Sequence, residues 1–254
     1  MDSIQKYLNK PPKIARFLRR FFSREDELVI LDIGACEALD SIKYSEMFPK
    51  ARVLAFEPLP ANVEKIRSNL VKYGHENIVV IPEALSETQG SATFFCSSGH
   101  PVGKANSLDW DYGNKSSSLL APLDTKRTHP WLKFDEEIVV PVNTLKNVCV
   151  QHDVDSIDLI HMDVQGGELM VLKGAGDVIE RIKLIWMEVE AIELYEGQPL
   201  KSEVEGFMRA HGFNLLVDTV GRVSGDQLWV SRSFYDGPRS ALRGVLERFR
   251  ELFD

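Results

Sequence analysis

Ile157-Asp158-Leu159-Ile160-His161-Met162-Asp163-Val164-Gln165-Gly166-Gly167-Glu168-Leu169-Met170-Val171-Leu172-Lys173-Gly174-Ala175 is the stretch from which the fold can be read. A short apolar run leads into Asp163, glycines turn the chain, and Leu169, Leu172 and Ala175 then fall on one face of a helix. Alternation along the strand puts His161 and Asp163 on the same side. Asp163 falls at the strand's carboxyl edge, where open α/β sheets bind their ligands. There it faces the crevice, able to take a proton from a substrate hydroxyl or to orient that hydroxyl. His161, one pair of residues further in, reads as a buried residue behind it.

The same rhythm extends in both directions. Strands are predicted over Val29–Ile33, Arg52–Phe56, Ile78–Ile81, Ile157–Asp163, Leu184–Val189, Phe213–Val217 and Leu228–Ser231, with helical patterns such as Ala61–Tyr73, Gly167–Lys173 and Lys201–His211 between them. Continuous apolar runs such as Leu28-Val29-Ile30-Leu31 suit strands covered on both faces. Strands alternating with helices give βαβ units and a doubly wound, Rossmann-like α/β fold.

Residues 91–142 break the rhythm with the Ser97-Ser98-Gly99-His100-Pro101 segment, Trp110, Tyr112, Trp131 and a strand-like Ile138–Val142. An insertion of this length reads as a cap over the carboxyl edge or as a hairpin extending the sheet. Its aromatic residues suit an anchor for the insertion's own core better than a stacking platform. The expected organisation is an N-terminal basic amphipathic segment over 1–27, a domain over 28–236 carrying the insertion, and a C-terminal amphipathic helix over 237–254.

Composition narrows the class. The 254 residues are 44% hydrophobic and 27% charged, as in an ordinary globular protein. A net charge of −8 disfavours nucleic acid as a partner. The three cysteines, Cys36, Cys96 and Cys149, form no metal-binding spacing, so no metal site is expected. With no signal peptide and no long apolar run, a cytoplasmic location is expected. Lys6, Lys10, Lys13, Arg16, Arg19 and Arg20 alternate with apolar residues near the start. Such a segment packs on its own domain or on a second copy in a homo-oligomer, or makes weak contact with a membrane surface; the first two are preferred.

Three further motifs carry chemistry. Asp32-Ile33-Gly34-Ala35-Cys36 ends the first strand; Gly34 permits close backbone approach and Asp32 accepts hydrogen bonds from a ligand or loop. Glu57-Pro58 ends the second strand, 23 positions after Gly34, where a carboxylate is placed to hold both hydroxyls of a ribose. Glu83-Ala84-Leu85 follows the third strand and would flank an adenine with backbone groups and an apolar wall. A nicotinamide dehydrogenase shares this geometry but needs a glycine-rich turn for pyrophosphate. Cys36 and Leu39 stand where those glycines would be, which favours a sulfonium methyl donor. Alignment dominates transfer from a sulfonium. Asp163 is the expected base or orienting group, with Glu188 at the fifth strand's end assisting. A divalent cation shared by these two carboxylates is the weaker alternative.

Taken in order, the motifs resemble the FkbM-type methyltransferase family: Asp32-x-Gly34-Ala35, Phe56-Glu57-Pro58, Ser117-Ser118-Leu119, Thr144-Leu145, and the Asp163-Val164-Gln165-Gly166-Gly167-Glu168-Leu169 stretch. The resemblance spans roughly Leu28 to Val230. It implies the class I methyltransferase fold, a seven-stranded mostly parallel sheet with an antiparallel last strand. It also implies S-adenosylmethionine as cofactor and O-methylation of a small-molecule or carbohydrate acceptor such as a sugar or polyketide. The residues it aligns with the cofactor are Asp32, Gly34, Ala35, Cys36, Glu57, Pro58, Glu83, Ala84, Leu85, Ser118, Asp163 and Gln165. The chain departs from the family where Cys36 and Ala38 replace the usual Asn and second Gly, and where Gln165 replaces a Glu and Gly167 an Ala. Those departures keep a non-catalytic cofactor-binding or scaffold protein as the alternative.

Overall fold

The computed structural model describes residues 3–106, 110–123 and 125–236, apart from the side chains of Lys126 and Arg127. The helix expected over 237–254 lies outside these residues. In chain order the strands are β1 (Val29–Ile33), β2 (Arg52–Phe56), β3 (Ile78–Ile81), β4 (Ala84–Leu85), β5 (Gly90–Gly99), β6 (Leu132–Asn143), β7 (Ile157–Met162), β8 (Ile182–Glu190), β9 (Phe213–Asp218) and β10 (Ser224–Ser231). The helices are α1 (Ser3–Leu8), α2 (Ala15–Phe21), α3 (Leu39–Met47), α4 (Pro60–Tyr73), α5 (Thr125–Thr128), α6 (Leu145–Gln151), α7 (Glu168–Lys173), α8 (Lys201–Ala210) and α9 (Arg232–Tyr235).

Seven strands form one sheet in the order β3-β2-β1-β7-β8-β10-β9. Neighbours from β3 to β8 run parallel, and β10 lies antiparallel between β8 and β9. The order reverses between β1 and β7, and ligands of doubly wound sheets bind beyond the strand ends at that switch point. Register places Asp32 opposite His161, His161 opposite Trp186, and Glu188 opposite Asp226.

The apolar runs are explained by cover on both faces. On one side, α6, α7 and α8 pack side chains such as Leu145, Leu172 and Met208 with Leu31, Ile160 and Met187. On the other, the N-terminal helices and α3 pack against Ile30, Leu159 and Leu184. Ile4, Leu8, Phe17, Leu18, Phe21 and Phe22 are buried in that layer, which leaves these side chains no part in contact with a membrane. Pro60 starts α4 and Gly74, at φ 71°, ends it in the left-handed conformation.

The insertion does two things at once. Its hairpin, β5 with β6, forms a separate three-stranded sheet with β4 and does not extend the main one. The segment 110–123 between the hairpin strands crosses the carboxyl edge and bonds to the loops after β7 and β8. Ser118 Oγ donates to the Gln165 carbonyl at 2.8 Å, Tyr195 Oη donates to the Ser116 carbonyl at 2.8 Å, and Glu196 N donates to the Ala121 carbonyl at 2.8 Å.

Candidate active site

The loop after β1 is shaped by three residues with positive φ: Gly34 (84°), Cys36 (53°) and Ala38 (56°). Gly34 is required by the protein itself, because a Cβ there would run into the Asp163 carbonyl oxygen. The other two positions are where the family carries Asn and Gly, residues that tolerate this conformation. Here Cys36 and Ala38 hold it at a cost of about 1–2 kcal/mol each. The departure therefore leaves the loop's path intact.

Glu57 ends up buried at the head of this loop, 5% exposed. Its Oε2 accepts from Cys36 N at 2.8 Å and its Oε1 from Leu59 N at 2.8 Å. Burial, only partly offset by these two bonds, raises its pKa to about 7. No cation among the described residues forms an ion pair with it. A hydrogen bond from the Asn62 side chain takes up part of the remaining capacity, which leaves room for one further donor. A ligand diol supplies a donor of that kind.

Glu57 lines a cleft of about 590 Å³ together with Gly34, Pro58, Glu83, Ala84 and Leu85. Apolar Ile33, Phe56, Phe94 and Leu119 complete its walls. Asn143 Nδ2 donates to the Glu83 carboxylate at 2.8 Å, fixing the turn that leads into β4. Ser118, expected to face this space, is 1% exposed and ties the insertion to the Gln165 backbone; its neighbours Ser117 and Leu119 line the cleft instead.

A second chamber, about 1070 Å³, opens on the side of the N-terminal helices. Asp32, Ala35, His161, Trp186, Asp226 and Tyr7 lie around it. Gly34, Cys36, Lys115 and Asp163 line both spaces, so the two chambers meet at the tips of β1 and β7. Asp32 is nearly inaccessible, 3% exposed, and accepts from Ser41 Oγ on α3 at 2.5 Å. Its hydrogen bonds run to Ser41 at the start of α3.

Around Asp163 the structure adds a partner that spacing alone does not reveal. Gln165 Nε2 donates to Asp163 Oδ1 at 2.6 Å and to Glu188 Oε2 at 2.9 Å. Its Oε1 accepts from Tyr195 Oη at 3.0 Å. The amide thus stands between the two carboxylates, and its oxygen shares the single Tyr195 proton with the Ser116 carbonyl. Burial and the Asp163 charge push Glu188 up to about 8, so it carries a proton at neutral pH. Asp163, exposed at the mouth of the site yet flanked by protein, is also pushed up by desolvation, against the hydrogen bonds from Gln165 and Glu188. Lys115, Asn114, Tyr195 and the chamber residues Tyr7 and Lys13 were not singled out from sequence. They come from segments whose distance in the chain carries no periodic signal.

The Methyltransferase FkbM domain profile matches residues 32–215, from the β1 aspartate to the middle of β9. The chain belongs to the FkbM methyltransferase family. A curated relative, 2-O-methyltransferase NoeI of Sinorhizobium fredii, is 30% identical over 225 residues, covering 87% of each chain. Methyltransferase sdnD of Sordaria araneosa is 26% identical over 200 residues, covering 74% of each. AMB antimetabolite synthetase AmbE of Pseudomonas aeruginosa is 24% identical over 221 residues, covering 79% of this chain and 10% of its own length.

This FkbM methyltransferase is an S-adenosylmethionine-dependent enzyme with the class I fold, and the nicotinamide alternative falls with that assignment. The unpaired buried carboxylate of Glu57, set in a cleft with apolar walls, suits the ribose and adenine of that cofactor. When bound, the cofactor supplies an electrophilic methyl group on a sulfonium. Among the described residues, no helix is long and apolar enough to cross a membrane.

Proposed function

We propose that the chain transfers the methyl group to a hydroxyl oxygen of a small-molecule or carbohydrate acceptor. The observation that carries this reading is the junction of the two chambers at Asp163. Glu57 would hold the ribose in the smaller cleft, with Ala84 and Leu85 beside the adenine. Gly34, Ala35 and Cys36 would follow the cofactor towards the junction. Asp163 would meet the acceptor hydroxyl there, orienting it or taking its proton, with Glu188 and Gln165 supporting the carboxylate.

Transfer from a sulfonium depends on the oxygen approaching opposite the departing sulfur, and good alignment contributes roughly 7–11 kcal/mol. The larger chamber offers space for an acceptor on the far side of the junction. Oxygen as the methylated atom is also supported by the name of the 2-O-methyltransferase relative. The overall negative charge argues against a nucleic-acid acceptor.

The test has two arms. Calorimetry with S-adenosylhomocysteine is expected to show binding that Glu57→Gln weakens at least about tenfold. Labelled S-adenosylmethionine, offered with a panel of methyl glycosides and simple alcohols, is expected to give an O-methyl product located by NMR. Methyl on nitrogen or carbon overturns the oxygen assignment, and Asp163→Asn with full turnover removes Asp163 from its role.

A further inference from the structure

His161 does not lie sealed behind Asp163. Its side chain is 17% exposed and lines the larger chamber beside Asp163 and Trp186. Nδ1 is the buried nitrogen: it has no hydrogen-bond partner, and the Asp32 Oδ1 carboxylate oxygen lies 3.5 Å away. The ring is held from the side by Tyr44, edge-on at 5.6 Å between centroids. Asp32 is itself fixed by Ser41 at its other oxygen. With Nδ1 turned inward, Nε2 is the nitrogen offered to the chamber. A buried carboxylate, then an imidazole, then open space is the arrangement of an oriented general base. Bonds of this kind are often long before a ligand is present and tighten when it binds.

We propose that His161, oriented from behind by Asp32, takes the proton of the hydroxyl that is methylated, while Asp163 orients the acceptor. The inference rests on the oxygen-methylation reading and divides a task which that reading leaves on one carboxylate. The acceptor oxygen forms its bond to the methyl carbon as the sulfur–carbon bond breaks. Sulfur leaves as a neutral thioether, and the hydroxyl proton moves to Nε2, leaving an imidazolium. That cation is matched by its surroundings. Asp32 on β1, Asp40 on α3 and Asp163 beyond β7 all feel the His161 charge. Asp226 on β10 lines the same chamber but is ion-paired to Lys13 at 2.8 Å, and Asp40 is shared with Lys43 at 3.3 Å. Tyr7 completes the facing groups, donating to Asp40 Oδ2 at 2.7 Å.

Asp163 is less free to act. It already receives Gln165 Nε2 at 2.6 Å, and a hydrogen bond from Glu188 adds to this. Asp32 is a positioning residue here and not a participant: its oxygens lie behind the ring.

The full chain labelled with ¹⁵N-histidine and saturated with S-adenosylhomocysteine provides the first test. The neutral His161 ring is expected as the Nδ1–H tautomer, with Nε2 left to accept the proton. Asp32→Asn is expected to raise the fraction of the Nε2–H tautomer. A neutral wild-type ring protonated at Nε2 overturns the proposal even before an acceptor is found. With an acceptor from the glycoside panel, His161→Gln is expected to lower kcat about 10²–10⁴-fold. The S-adenosylhomocysteine Kd should then move less than about threefold. The acid limb of the wild-type pH profile should vanish in His161→Gln and persist in Asp163→Asn. A persisting limb or near-wild-type turnover in His161→Gln overturns the proposal. Failure of the broader reading looks different: no binding at Glu57, or methyl on an atom other than oxygen.

Discussion

Glu57 is the residue whose ionisation should be most visible in binding. Burial raises its pKa to about 7 in the folded chain, above the ordinary value of 4.5. The folded state therefore holds this proton more tightly than the unfolded one. Its contribution to stability is present below about pH 4.5 and is lost as pH rises towards 7. Ribose hydroxyls donate best to the ionised form, so affinity should run the other way. The Kd for S-adenosylhomocysteine should tighten as pH rises from about 6 to 8, and this dependence should flatten in Glu57→Gln. Calorimetry across that range checks it. Gly34 makes a second residue-scale point. A ligand-facing role was the natural reading of its sequence context, yet the atom that excludes a side chain belongs to Asp163. Gly34→Ala should thus displace the β7 tip and reduce both stability and turnover, measured by denaturant unfolding and methyl transfer. Unchanged stability would remove this account.

At the scale of elements, the β7–α7 turn concentrates the chemistry. Gln165 sits there at φ 56°, donating to Asp163 and Glu188 and accepting from Tyr195. Gln165→Glu replaces a donor with a third acidic group beside the exposed Asp163 and the half-buried Glu188. Removing a donor from charged acceptors costs about 1–3 kcal/mol. The variant should lose roughly that much stability at pH 8 and regain part of it as pH falls and the acids take up protons. Urea unfolding at two pH values reads both effects, and a variant equally stable at both would contradict it. This turn was largely legible from sequence, because an apolar run, two glycines and an apolar helix face leave few alternatives. The β1 and β2 bounds were legible because both faces are covered, and edge strand β3, with Val79 exposed, because its apolar run is unbroken. Helix α3 was not, and the reason is physical. It starts from a left-handed Ala38 with no side-chain cap, and it buries Ser41, Lys43 and Ser45 beside Leu39 and Ile42. Cover on all sides erases the polar stripe by which a helix is recognised. Helix α6 had a readable signal in Thr144, whose side chain accepts from Asn147 N at 3.1 Å. The position of 110–123 over the site was legible only as one of two readings, cap or sheet extension, since its contacts at Gln165 and Tyr195 join segments far apart in the chain.

Across the whole molecule, the N-terminal segment is part of the core. Leu18 is fully buried, and Phe17, Phe21 and Phe22 pack with it against the sheet layer. Leu18→Ala should cost about 2–5 kcal/mol, seen as a lower urea midpoint with an unchanged slope. A loss below about 1 kcal/mol would mean that the segment is peripheral. Among the basic residues of this segment, Lys13 serves the rim of the larger chamber. Lys13 reaches from this segment to Asp226 on β10, a pair 213 residues apart.

That pair ties the N-terminal segment to β10, which itself inserts between two strands made earlier. A growing chain can assemble the smaller cleft from β1 to β7 before this wall exists. Until β10 has been made the larger chamber stays open, so a polypeptide halted short of it would leave that cleft exposed to water with nothing held opposite.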